Sequence, residues 1–302
     1  MSGDGRPPRC AVWAREVELD PAGTAPRSDI FVLVEHPLPW PNDIGDDPLL
    51  AEVERAARAQ AAAGRSLRLQ ALAVDHASPT RRVVVFAGSD APFSGYGRLE
   101  ASGTPDQLAD IAATLVASEP PEPVVGRVTD VLVCTHGARD ACCGSFGTRL
   151  WRDVETAGLH VWRTSHMGGH RFAPTAVTFP DGNSWAHLDP PLLAGIVDRS
   201  LPADVAAAHL RGCAAFSPSV QVADRGVLAL RGWDWLSCAR FGEERSANRV
   251  ELCFQAPGGA HGTYDVGLAD GRMMPVPGCG DDPADAAKTQ AEWRVTRVRA
   301  WS

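Results

Sequence analysis

The chain has 302 residues, 44% of them hydrophobic and 22% charged, with a formal net charge of -8. That length allows about two domains at roughly 150 residues each, and the composition excludes a disordered, collagen-like or low-complexity chain. The acidic balance argues against nucleic-acid binding, which needs concentrated Lys and Arg against phosphate.

Strands are predicted at Ala11 to Glu18, Ile30 to Glu35, Ser66 to Val74 and Arg82 to Ala87, each β-branched or alternating in pattern. A helix over Asp47 to Ala63 carries Leu50, Val53, Ala56, Ala57 and Ala61 at helical spacing, and a second follows over Thr104 to Ala117. Glu119-Pro-Pro-Glu-Pro then reads as a linker. Beyond it come a strand at Arg127 to Cys134, a Gly- and Cys-rich loop, a helix from Ser145 to Thr156 with Ser145 as its cap, and a strand at His160 to Thr164. A second loop, SHMGGHRFAP, leads into a hairpin of Thr175 to Phe179 and Ser184 to Leu188. A helix starts at Asp189. The remainder offers one or two helices, a Trp-rich segment, and strands near Arg249 to Gln255, Gly262 to Gly267 and Trp293 to Trp301. The two strand-and-helix halves read as distant copies of one unit.

No apolar run reaches the roughly 18 residues of a membrane span, and MSGDGRPPRC lacks a signal-peptide pattern. A cytoplasmic protein without a membrane partner is expected. In such a reducing compartment the eight cysteines are poor candidates for a disulfide framework and better ones for metal binding.

Cys134 ends a predicted strand, and Cys143 follows after eight residues near a helix start, where N–H groups and the helix dipole favour thiolate. The second loop offers His166 and His170, separated by Met167, Gly168 and Gly169, the glycines being expected to let backbone approach a bulky group. Two thiolates and two imidazoles suit zinc or a two-iron two-sulfide cluster, and spacing alone leaves both open. A zinc protease is excluded because Met167 stands where His-Glu-x-x-His needs its glutamate. A cysteine phosphatase loop is excluded because Asp140 stands where its arginine would fall.

VCTHGARDACCGSFGTRL, SHMGGHRFAP and TFPDGNSW together resemble the sucrase/ferredoxin-like family, which includes thioredoxin-like [2Fe-2S] ferredoxins with two histidine ligands. IFVLVEHPLPW, with Glu35 and Trp40, and PGCGDDP around Cys279 resemble it too. The resemblance implies Cys134, Cys143, His166 and His170 as cluster ligands. It also implies an α/β (α+β) chain: an amino-terminal α/β domain over 1–122, a thioredoxin-like ferredoxin domain over 123–212, and a β-rich extension over 213–302. Sucrose cleavage, suggested by half of the family name, has no supporting pair of carboxylates.

The expected activity is electron transfer between redox partner proteins, a reductase and an acceptor, with the net negative charge favouring a basic partner. Imidazole ligation raises a cluster's potential, as in Rieske centres at roughly -150 to +300 mV against about -400 mV for plant-type ferredoxins. The second ring N–H should couple the electron to a proton. Arg139 and Arg171 flank the ligand loops as donors to sulfide, with ion pairs to Asp140 or Asp153 as the alternative; Thr135, Ser145 and Ser165 are further donors. His136, in half of a Rieske motif, and Cys142, adjoining Cys143, compete for ligand places. Cys10, Cys213, Cys238, Cys253 and Cys279 read as small buried residues, Cys279 with some reactivity. His36, His76, His209 and His261 lack a partner motif, and His160 and His187 read as structural. The rival readings are a zinc-stabilised scaffold on the same four ligands and a thiol enzyme using Cys143.

Overall fold

The computed structural model describes residues 9–74, 78–124, 126–156, 158 and 161–301. Residues 1–8, His76 and His160 lie outside the described residues. The first element corrects the sequence reading: Cys10–Glu16 is a helix, α1, not a strand. Its buried residues Cys10, Ala11 and Ala14 follow helical spacing, whereas Val12 faces outward.

Two units with the same connectivity follow. The first contains β1 (Ile30–Pro37), α2 (Pro48–Gln60), β2 (Leu67–Val74), β3 (Arg81–Gly88), β4 (Tyr96–Gly103) and α3 (Leu108–Ala117). The second contains β5 (Asp130–Cys134), α4 (Thr148–Thr156), β6 (Trp162–Thr164), β7 (Ala176–Phe179), β8 (Asn183–Trp185) and α5 (Pro190–Val197). In each, the first two strands run parallel and the next two add antiparallel on the opposite side. The units meet where β2 pairs antiparallel with β6. α6 (Ala203–His209) precedes β9 (Leu210–Cys213), which completes a nine-stranded sheet of order β4-β3-β1-β2-β6-β5-β7-β8-β9. The strand order β6-β5-β7-β8 repeats β2-β1-β3-β4, so the two halves read as copies of one unit share one topology.

Local chemistry explains the elements. Asp47 caps α2 by accepting from the Leu49 and Leu50 N–H groups, and Pro48 occupies the first turn. Thr104 and Gln107 form a capping box before α3. α2 and α3 bury Leu50, Val53, Ala57, Leu108 and Ala112 against Ile30, Val32 and Val34 of β1. β4 was missed because its alternation is broken by Gly97 and Gly103; β9 has only four residues.

α7 (Pro218–Arg231) lies against a second sheet, antiparallel, of order β10 (Ala239–Ser246), β11 (Arg249–Gln255), β12 (His261–Pro275) and β13 (Thr289–Trp301). Gln221 of α7 donates to the Ala25, Cys213 and Phe216 carbonyls, joining the two sheets. Asp224 is fully buried, paired with Arg240 at 2.7 Å and accepting from the Trp235 indole at 2.8 Å. Among the described residues, no helix is long and apolar enough to cross a membrane.

Candidate metal centre

Cys134 closes β5, whose five residues are all buried. The chain then turns and begins a helix at Ala141, not at Ser145. Asp140 is the cap: its Oδ1 accepts from the backbone N–H groups of Cys142 at 2.9 Å and Cys143 at 3.1 Å. Residues Cys143–Gly147 form a π-helical turn before α4, the kind of insertion often found at functional sites. Gly147 permits this geometry, because a Cβ there would stand 1.9 Å from the Cys134 carbonyl oxygen. With no side chain in the way, the helix start closes onto the strand end, and Cys134 and Cys143, each 1% exposed, share one buried space.

The histidine loop follows β6. Ser165 does not face sulfur: its hydroxyl donates to Gln70 Oε1 and accepts from the Ala71 N–H, tying the loop to β2. Gly168 and Gly169 have φ of 81° and 79°, the left-handed region that favours glycine. A Cβ on Gly169 would stand 2.4 Å from the Arg211 guanidinium carbon. These glycines therefore serve the turn and its packing over Arg211, a different role from the close approach to a cluster expected of them.

The structure brings Cys134, Cys143 and His166 together, their donor atoms all within 4.8 Å of one another. His166 Nδ1 is 3.9 Å from Cys134 Sγ and 3.8 Å from Cys143 Sγ. The His170 ring centroid is 6.0 Å from that of His166. His170 Nδ1 points the other way, 3.2 Å from Asp140 Oδ2 and 3.2 Å from Cys10 Sγ. A Nδ1–H donated to Asp140 leaves the lone pair on Nε2, the form in which imidazole binds metal. One carboxylate thus holds both the thiol-bearing turn and the second histidine.

A hydrogen bond from Cys143, with help from His166, holds the Cys134 thiol well below its ordinary value, while Cys143 is raised by that same bond and by burial. His136 is occupied elsewhere: its Nε2 donates to the Pro41 carbonyl at 2.8 Å, and its Nδ1 accepts from the His166 N–H at 3.2 Å. It buttresses the loop and has no nitrogen left for metal. Cys142 turns away from Cys143 toward Cys10 and Cys279. His187 takes a structural role, accepting from Arg15, with its pKa pushed down to about 3 chiefly by burial.

Arg139 is exposed, its Nη1 3.9 Å from Asp43. Arg171 is buried, stacked 4.8 Å from the Phe172 ring centroid and donating to Gln290 of β13. Sequence reading missed Arg211, which is 2% exposed and donates to the Gly168 carbonyl at 3.0 Å. Burial pushes its pKa down to about 9, with Arg171 and Arg68 nearby, while Cys143 and Cys134 oppose that fall. Among the described residues no carboxylate pairs with Arg68, Arg171 or Arg211, so positive charge gathers behind the histidine loop. That arrangement costs free energy unless an anion lies near. The Thr135 hydroxyl, beside Cys134, is likewise buried without a partner among the described residues.

The chain is 37% identical over 87 residues to altered inheritance of mitochondria protein 32 of Meyerozyma guilliermondii, covering 24% of this chain and 31% of that one. The match spans under a third of that relative's length. No solved structure matches the chain significantly. The sucrase/ferredoxin-like family profile matches residues 21–212, which include both ligand loops, and the chain belongs to that family.

Proposed function

We propose that the protein is an electron carrier holding a [2Fe-2S] cluster through Cys134, Cys143, His166 and His170. The observation that carries this reading is the convergence of two fully buried sulfurs with the His166 imidazole, and His170 beside them under the control of Asp140. The donor set fits the cluster: soft thiolates and imidazoles, a buried hydroxyl at Thr135 able to donate to sulfide, and uncompensated guanidinium charge behind an anionic group. Once bound, such a cluster accepts and releases one electron.

The chain's own residues do the rest. Asp140 fixes the helix start and faces His170 Nδ1, holding that ring beside the thiol-bearing turn. Arg211 and Arg171 favour the reduced, more negative form. The thiol side is sealed, whereas the His170 side chain keeps 24% of its exposure. A redox partner would therefore dock on the imidazole side. Anaerobic purification with iron, sulfide and zinc analysis and an absorption spectrum tests this. Iron with equimolar sulfide and visible charge-transfer bands supports it. A colourless protein with one zinc on these ligands would establish the zinc scaffold instead.

A further inference from the structure

Cys10, Cys142 and Cys279 lie 132 and 137 residues apart in the chain, yet their sulfurs meet. The Sγ–Sγ distances are 3.0 Å for Cys142 and Cys279, 3.4 Å for Cys10 and Cys279, and 3.7 Å for Cys10 and Cys142. All three are free thiols. Asp140 joins them, its carboxylate oxygen within 4.8 Å of every sulfur. We propose that these four side chains form a second metal site, distinct from the cluster site, that takes one thiophilic divalent cation such as zinc.

The dimensions fit. Tetrahedral zinc with Zn–S of about 2.3 Å places its sulfurs about 3.8 Å apart, so the triangle seen here needs to open by less than an ångström. Three thiolates and one oxygen are soft enough to select zinc over magnesium or calcium. The approaches are fixed: Arg9 donates to the Ala141 carbonyl at 2.9 Å, holding Cys10 against the Cys142 turn, and Asp281 accepts from the Gly278 N–H at 2.8 Å beside Cys279. Cys10 and Cys142 are buried, while Cys279 is half-buried and gives the ion a way in.

Cys10 and Cys279 both lie outside residues 21–212, the span the family profile covers, so this site joins that span to segments on either side of it. Bound metal would staple α1 and the β12–β13 connection to the turn that carries Cys143. Because Asp140 also contacts His170, the staple would steady the cluster ligands.

The test is zinc content and zinc K-edge X-ray absorption on the full chain purified under reducing conditions. The expected result is one zinc per chain with three sulfurs and one light atom around it, alongside whatever iron the cluster site holds. Cys10→Ser and Cys279→Ser should each weaken zinc binding by more than the roughly 10–100-fold typical of losing a group that only orients a ligand. Both should retain iron. Cobalt(II) added to a Cys134→Ser/Cys143→Ser variant, checked for folding by circular dichroism, should still show thiolate charge transfer. A zinc shell of two sulfurs and two nitrogens, a disulfide between Cys142 and Cys279 in the reduced preparation, or zinc unchanged in both serine variants would each overturn the proposal. Iron content reports separately on the electron-carrier reading.

Discussion

Asp140 tests how the thiol-bearing turn and His170 are held, because its two oxygens contact different groups. Oδ1 caps the Cys142–Cys143 turn, and Oδ2 faces His170 Nδ1 at 3.2 Å. Asp140→Asn preserves the cap, since asparagine is as good an N-cap residue. Its amide nitrogen would face Nδ1, however, and only an imidazole protonated on Nε2 could accept from it. That tautomer has no lone pair left for metal. Loss of such an orienting partner typically costs 10–100-fold in metal affinity, or about 1.4–2.8 kcal/mol. Asp140→Ala should cost the same affinity and, in addition, about 1 kcal/mol from the lost cap, lowering Tm by about 2–4 °C. Chelator competition for iron and thermal melts of the iron-free proteins would measure the two effects. Native iron affinity in Asp140→Asn would refute the assignment of Oδ2 as the group that orients His170.

Three other outcomes are expected. Replacing His166 by cysteine should keep a cluster but lower its potential toward the plant-type value of about -400 mV; an unchanged potential in protein-film voltammetry would remove His166 from the ligand set. The native potential should fall as pH rises, because oxidation makes the remaining imidazole N–H more acidic and reduction therefore takes up a proton. A flat potential from about pH 6 to 9 would reject that coupling and leave the cluster untouched. Asp224→Ala strands Arg240, 1% exposed, and leaves the Trp235 indole without its acceptor, so denaturant unfolding should show a loss of about 3–5 kcal/mol; under about 1 kcal/mol would mean that water enters and solvates Arg240.

What the sequence made legible was local. The β-branched runs of β1 to β3 and the 3.6-residue spacing of α2 state their structure within a few residues, and Cys134, Cys143, His166 and His170 announce themselves by type and spacing in two short loops. The helix start was misplaced because Gly144 and Gly147 look like breakers, whereas they are sites of close approach inside a helix that Asp140 has already capped. An Asp three residues before Cys143 was the available signal. α1 was taken for a strand because a seven-residue element gives too few turns to separate periods of 2 and 3.6. Cys10, Cys142 and Cys279 could not be grouped, since nothing in one sequence pairs residues so far apart. Arg211 was hidden for the same reason: a buried arginine reads as a surface one until the loop that covers it is seen.

Pulsed electron paramagnetic resonance of the reduced, anaerobically purified protein tests the central claim most directly. The expected result is a [2Fe-2S] signal with strong couplings to nitrogens from two imidazoles, one lost in His166→Cys and the other in His170→Cys. A cluster signal without strongly coupled nitrogen would contradict histidine ligation, and the absence of any iron-sulfur signal in protein containing only zinc would contradict the cluster itself.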